Sequence, residues 1–267
     1  MATFTGMGGT VDGAHTVRTW NITETEENKP YSASNTQGGT GQLGGIKDWS
    51  GSHTAYGHTP SHMPGESFTF VGFDGSKKYT GTAIVSQIEA QVNQESGDII
   101  GLTVQFAGNG ALTKTTGTLT DSVAPNPPSS IALKVELAEE STFAELLDVR
   151  SWTLTIACEL KEYSSSSSGG WKKRHPGNIT ASGSIEFYDQ DTHTAPDAGD
   201  VRKLKLYVTD TLFWLIHWGR FGEGSYETNM EGADVVSGSA NWNWSGFEGG
   251  VAGVITKPGD TAFWPAA

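Results

Sequence analysis

Apolar and polar residues alternate along this chain in short runs, the two-residue period of strands with one buried face. Trp152, Leu154, Ile156, Cys158 and Leu160 are interleaved with Ser151, Thr153, Thr155, Ala157 and Glu159. Leu204, Leu206 and Val208 alternate with Lys203, Lys205 and Tyr207, while Phe68 and Phe70 flank Thr69. On this pattern Cys158 points into a core as a small hydrophobe. Residues 84–92 fit two templates, since Val85, Ile88 and Val92 suit a helical face while Ile84, Ile88, Ala90 and Val92 suit a strand.

The pattern occurs twice. The segment VRTWNITETEENKPYSAS from Val17 returns as VRSWTLTIACELKEYSSS from Val149. Without a gap, Trp20 falls on Trp152, Tyr31 on Tyr163, Gly45 on Gly177, Ser50-Gly51-Ser52 on Ser182-Gly183-Ser184, and Tyr56 on Tyr188. After a small insertion Asp98 falls on Asp234, Phe106 on Trp242 and Gly110 on Gly246. Self-similarity on this scale marks a duplicated structural unit. It also decides the ambiguous stretch: Gly222 and Gly224 lie in the matching region, and each weakens a helix by about 1 kcal/mol relative to Ala. A strand leading to a polar hairpin at residues 93–98 is therefore expected in the first copy.

The proline-rich Asp121-Ser122-Val123-Ala124-Pro125-Asn126-Pro127-Pro128-Ser129-Ser130 reads as a linker. The expected organisation is a first β unit over 1–121, the linker over 122–130 and a second β unit over 131–267. One short helix is predicted at 142–147, where Thr142 and Glu145 form a capping box and Phe143, Leu146 and Leu147 an apolar stripe. Each copy carries a long polar loop, at 32–44 and 164–176, rich in Ser and Gly. Loops of this length are either contact sites or plain flexible loops, and both readings stay open. Ser32, Ser34, Asn35, Gln37, Gln42, Ser164, Ser166, Trp171, Lys172 and Arg174 are the candidate contact residues.

Composition narrows the function. With 36% hydrophobic residues, nine Trp and 35 Gly, the 267-residue chain is a loop-rich globular β protein. Its longest apolar run, residues 212–216, is far shorter than the roughly 20 residues of a membrane helix, and no export signal is evident, so no membrane span is expected. A single cysteine excludes an internal disulfide and fits synthesis in a reducing compartment. The formal charge of -13 disfavours binding of nucleic acid through its phosphates.

Catalytic motifs are missing: there is no nucleophile elbow, phosphate loop, dinucleotide fingerprint or zincin helix. His53, His58 and His62 lie close together but lack an Asp or Cys at ligand spacing, and their counterparts Ile185, Gln190 and Thr194 do not repeat them. His217 sits in an aromatic run and reads as packed. Adjacent carboxylates such as Glu26-Glu27 and Glu139-Glu140 point to opposite faces of a strand, unlike a glycosidase pair. Trp214, Trp218, Trp242 and Trp244 could form a sugar-stacking platform, against core or interface packing. No enzyme activity, cofactor or metal is expected.

Several stretches together resemble the tail tube proteins of tailed bacteriophages. They are Ile46-Lys47-Asp48-Trp49-Ser50-Gly51-Ser52 followed by Pro64-Gly65-Glu66-Ser67-Phe68-Thr69-Phe70, and Gly177-Asn178-Ile179-Thr180-Ala181-Ser182-Gly183-Ser184-Ile185. Gly81-Thr82-Ala83-Ile84-Val85, Thr103-Val104-Gln105-Phe106-Ala107-Gly108-Asn109-Gly110 and Asn241-Trp242-Asn243-Trp244-Ser245-Gly246 complete the likeness. The resemblance implies a mainly β chain of two tandem β-sandwich or half-barrel units, with at least one short helix, that self-associates into rings and stacked tubes. Family members usually carry one unit per chain and six chains per ring, so two units imply a trimer of pseudo-sixfold symmetry. It further implies a structural virion protein, made in the host cytoplasm, that conducts DNA through a lumen without binding it specifically and meets other tail proteins at the tube ends. The long loops would contact the next ring. Another virion part, such as a baseplate, distal tail or capsid-decorating protein, and a carbohydrate-binding module are the alternatives.

Overall fold

The structure, a computed structural model, describes residues 2–6, 17–32, 39–56, 59–93, 101–117, 133–139, 141–188, 196–227, 237–248, 251–261 and 264. The linker at 122–130 and the hairpin tip at 94–98 lie outside them.

The alternating runs form antiparallel strands, as their period dictates. The first half contains β1 (Ala2–Gly6), β2 (Val17–Tyr31), β3 (Gly41–Tyr56), β4 (Ser67–Phe73), β5 (Lys77–Asn93) and β6 (Gly101–Thr116). The second contains β7 (Val135–Ala138), β8 (Ala144–Leu146), β9 (Val149–Tyr163), β10 (Lys173–Tyr188), β11 (Val201–Tyr207), β12 (Phe213–Glu227) and β13 (Ser237–Trp244). Short strands β14 (Phe247–Glu248), β15 (Val251–Ala252) and β16 (Ile255–Thr256) follow. All but β14 and β15 belong to one 14-stranded sheet, so the mainly β expectation holds. Residues 84–92 are strand throughout, within β5.

Both halves use one pairing scheme. The order β2-β3-β6-β5, with β4 beside β5, recurs as β9-β10-β13-β12-β11. Register recurs with it: Val17 opposes Ala55 and Tyr31 opposes Gly41, as Val149 opposes Phe187 and Tyr163 opposes Lys173. Some of the irregularities coincide as well. The break between Glu26 and Asn28 matches the one between Cys158 and Leu160, and the break between Val85 and Gln87 matches the one between Phe221 and Gly224.

Strand alternation places Trp152, Leu154, Ile156 and Cys158 in the core, each at most 5% exposed. Full burial of one such aliphatic side chain contributes about 1.5–3 kcal/mol. An aromatic lies over a glycine at the same place in each half: Phe106 opposes Gly51, and Trp242 opposes Gly183. A methyl group on Gly51 would lie 2.8 Å from the Phe106 ring, and one on Gly183 2.7 Å from the Trp242 ring. Both positions need the missing side chain, which is why Gly recurs inside strands that otherwise disfavour it.

The helix expected at 142–147 does not form. Residues 144–146 are β8 instead, with Leu146 opposite Val135 and both buried. A six-residue helix has too few bonds to repay its nucleation, whereas a strand here extends an existing sheet. Among the described residues the one helical turn is a 3-10 turn at Ser166–Ser168.

The expected loops are also shorter than 32–44 and 164–176. Gly41 starts β3, with Gln42 opposite Pro30, and Lys173 starts β10.

Candidate functional site

The sheet has one apolar and one polar face. On the polar face the first half places Asn21, Thr23, Ser50, Ser52, Gln87, Glu89, Thr103 and Gln105, and the second places Ser151, Thr153, Thr155, Ser182, Ser184, Glu186, Asn241 and Asn243. These positions carry hydroxyls, amides and two carboxylates, with no Lys or Arg.

The groups bond to one another, three pairs across neighbouring strands and the Gln87–Glu89 pair within β5. The Asn21 amide donates to Ser52 Oγ at 2.7 Å, Gln87 donates to Glu89 at 2.6 Å, Ser151 donates to Glu186 at 2.7 Å, and the Thr153 and Ser184 hydroxyls lie 2.8 Å apart. A surface on which several donors and acceptors pair with one another, and whose named positions hold no cation, has little to offer a phosphate. Arg220 opposes Asn243 at the border and is held by Glu248 at 3.0 Å.

The second feature is the seam between the halves. β5 passes from β4 to β9 along its length: Ser67 to Phe73 pair with residues 78–84, and beyond the irregularity Gln87 to Asn93 pair with Ala157 to Ser151. The change of partner follows a clamp, in which Gly65 N–H donates to Val85 O at 2.8 Å and Val85 N–H donates to Glu66 O at 3.1 Å. The polar and apolar faces thus continue across the seam.

A latch reinforces it. Arg174 on β10 is buried, and its guanidinium spans both oxygens of Asp48 on β3 and also reaches Glu162 Oε1 at 2.8 Å and Gly108 O. Lys172 bonds Glu162 at 2.8 Å. The Glu162 carboxyl is held below its usual range, first by Lys172 and further by Arg174, against the opposing effect of burial. Trp171 forms a bridge with Lys47, whose ammonium lies 5.8 Å from the indole centroid, and Lys47 N–H donates to Gly170 O at 2.8 Å.

The candidate contact residues therefore separate. Trp171, Lys172 and Arg174 are engaged within the chain, and Arg174 is corrected from a loop contact to a buried strand residue. Gln42 is likewise a strand residue. Ser164 and Ser166 are exposed beside the helical turn and Ser32 is exposed beyond β2, while Ser34, Asn35 and Gln37 lie outside the described residues. Neither the polar face nor the latch was singled out from sequence. The face was foreshadowed by the Thr153 and Thr155 alternation, whereas the latch joins groups 126 positions apart.

Trp214 and Trp242 are core residues at 0% and 1% exposure and present no ring to a sugar. Half-buried His217 has a lowered pKa, owing first to burial and then to Lys203. His53 is buried on β3, His62 stacks on Phe68 at 5.6 Å, and His58 lies outside the described residues. Among the described residues no group of three potential ligands gathers as a metal site, and no helix is long and apolar enough to cross a membrane.

No protein-family model matches the chain, and no curated protein matches it.

Proposed function

We propose that this chain is a structural subunit of a phage-type tail tube, in which two tandem β units stand side by side in a ring and three chains supply six units. The observation that carries this reading is the β5–β9 seam, where one half joins the next through strand pairing and keeps both sheet faces continuous. A repeated unit that joins its copy edge to edge forms a ring when the same step is repeated to closure, and closure leaves no open sheet edge.

The polar face, whose Arg220 at the border is held by Glu248, suits the lumen. Passing DNA would meet Glu89, Glu186 and internally bonded hydroxyls, with the bordering Arg220 guanidinium already engaged by Glu248. Stacked rings would then conduct DNA by exclusion of binding instead of by recognition, and other tail proteins would meet the tube ends.

Negative-stain electron microscopy combined with solution mass tests the reading. Rings or hollow tubes with three chains per layer are expected; single chains at every concentration, even with tube-end proteins added, would overturn it. Placing lysines on the face, as in Thr153→Lys with Ser184→Lys, should make assembled tubes retain duplex DNA at low salt. Unchanged passage would remove the lumen assignment.

A further inference from the structure

The internal seam specifies a second, external one. In the second half, Gly199 N–H donates to Phe221 O at 2.9 Å and Phe221 N–H donates to Asp200 O at 2.8 Å, the same clamp that Gly65 and Glu66 make on Val85. Past its clamp, β5 meets β9. Past the equivalent clamp, β12 continues to Glu227 with β13 on one side, and among the described residues no strand pairs with its other side.

The complementary edge is the outer side of β2, because β2 repeats β9 position for position. It is not bare. β1 lies on it antiparallel, with Ala2 opposite Glu24, Thr3 opposite Thr23, Phe4 opposite Ile22 and Thr5 opposite Asn21. The Ser151–Ala157 edge that β5 takes on β9 corresponds to residues 19–25 of β2, so β1 fills the central part of the equivalent seat.

Carrying the register of the internal seam over to β12 and β2 sets Gly224 opposite Glu24, Ser225 opposite Thr23, Tyr226 opposite Ile22 and Glu227 opposite Asn21. The sequence Ala2-Thr3-Phe4-Thr5 therefore occupies, in the same direction, the positions of Gly224-Ser225-Tyr226-Glu227. Small, hydroxyl, aromatic and polar residues follow in the same order.

We infer that the outer edge of β2 is the docking site for β12 of a second copy of this chain, and that β1 is a stand-in strand that leaves when the copy docks. The inference rests on the tube reading and gives it a joint and a control. A lone chain covers its receiving edge, the usual defence of an exposed strand. Replacement of one strand by another of equal direction and register exchanges main-chain bonds like for like, as in strand-addition complexes.

Disulfides test it, because facing antiparallel residues lie within disulfide reach whether or not they exchange hydrogen bonds. In a Cys158→Ala background, Thr3→Cys with Thr23→Cys locks β1 in place. The oxidised chain is expected to stay single where the reduced chain assembles, and to regain assembly on reduction. Thr23→Cys with Ser225→Cys is expected to link neighbouring chains covalently in the assembled material. Phe4→Pro with Thr5→Pro, which removes two main-chain donors from β1, should shift the onset of assembly to lower concentration.

Tubes formed equally well by the locked chain, or without a chain-to-chain link between residues 23 and 225, would overturn the joint while leaving the tube reading intact. Linked chains that form only open strings would keep the joint and overturn the tube. Absence of association even with β1 weakened would overturn both.

Discussion

Arg174 lays its guanidinium across the Asp48 carboxylate, Nη1 at 2.8 Å from Oδ1 and Nη2 at 2.6 Å from Oδ2, and so fastens a strand of the second half to a strand of the first. The duplicate positions carry Gln42 and Thr180, so the latch exists once per chain. Removing one partner of a buried pair is far more damaging than removing both, because the survivor stays desolvated. Asp48→Asn is expected to lower stability by about 2–4 kcal/mol, and Asp48→Asn with Arg174→Met to recover part of that loss. A double-mutant cycle measured by urea unfolding checks both.

The indole of Trp152 donates to Tyr207 O at 3.0 Å, whereas the equally buried Trp242 Nε1 has no partner. Replacing either by Phe removes similar volume, but only one change strands a carbonyl. Trp152→Phe should therefore destabilise by about 1 kcal/mol more than Trp242→Phe, a difference that thermal unfolding of the two variants will read. The first half already uses Phe106 at the Trp242 position.

A methyl group at Gly183 would lie 2.1 Å from Thr153 O, a backbone atom that has no rotamer to escape through. Gly183→Ala is expected to lower stability by about 1–3 kcal/mol through overpacking. Gly51→Ala should behave alike, since its added carbon would lie 2.2 Å from Asn21 O. Gly75→Ala gives the contrast: nothing lies within 4 Å, so only its positive φ of 101° opposes the change. Chemical denaturation of the three variants separates packing from backbone conformation.

Asp74 closes the β4–β5 turn, its Oδ1 accepting from Lys77 N–H at 2.7 Å and Ser76 N–H at 2.9 Å, and its Oδ2 from the Tyr79 hydroxyl at 2.9 Å. These bonds, the one from Lys77 foremost, hold its pKa at about 2. A depressed carboxyl stabilises the fold fully above its unfolded value of about 3.9, and the benefit disappears as pH falls through the folded value. The stability gap between wild type and Asp74→Asn should thus be constant above pH 5 and shrink between about pH 4 and 2. Paired unfolding curves across that range decide it.

Cys158 is 5% exposed, and burial raises its pKa, so its thiol is both covered and protonated at neutral pH. Modification by a disulfide reagent should proceed no faster than the opening of β9, and should accelerate with urea in step with unfolding. Rapid labelling of the folded chain would contradict the packing of that strand.

Much of this architecture was legible because strand burial writes a period of two into the sequence. Trp152 to Cys158 and Phe68 to Phe70 lie as their alternation predicts, whereas Tyr207, expected on the polar side of Leu204 to Val208, is buried with them. What escaped was non-local. The capping box at Thr142 is a local signal, and it lost to the pairing of Leu146 with Val135. The start of β10 was hidden because what holds Arg174 there is Asp48, far back in the chain. β1 carries too few residues to show a period, and its role depends on an edge that only the assembled sheet defines.

Because β5 meets β9 inside a single polypeptide, every closed ring built from this chain has an even count of units. A ring of five or seven is unreachable, and an error in ring size must add or remove two units at once, with a correspondingly large change of curvature. In such a ring, half of all joints would be completed before two molecules meet, at a local concentration that dilution cannot lower. On the proposed tube reading, joining two units in one chain would act as a counting device, and the circumference would be partly decided while each molecule is still alone.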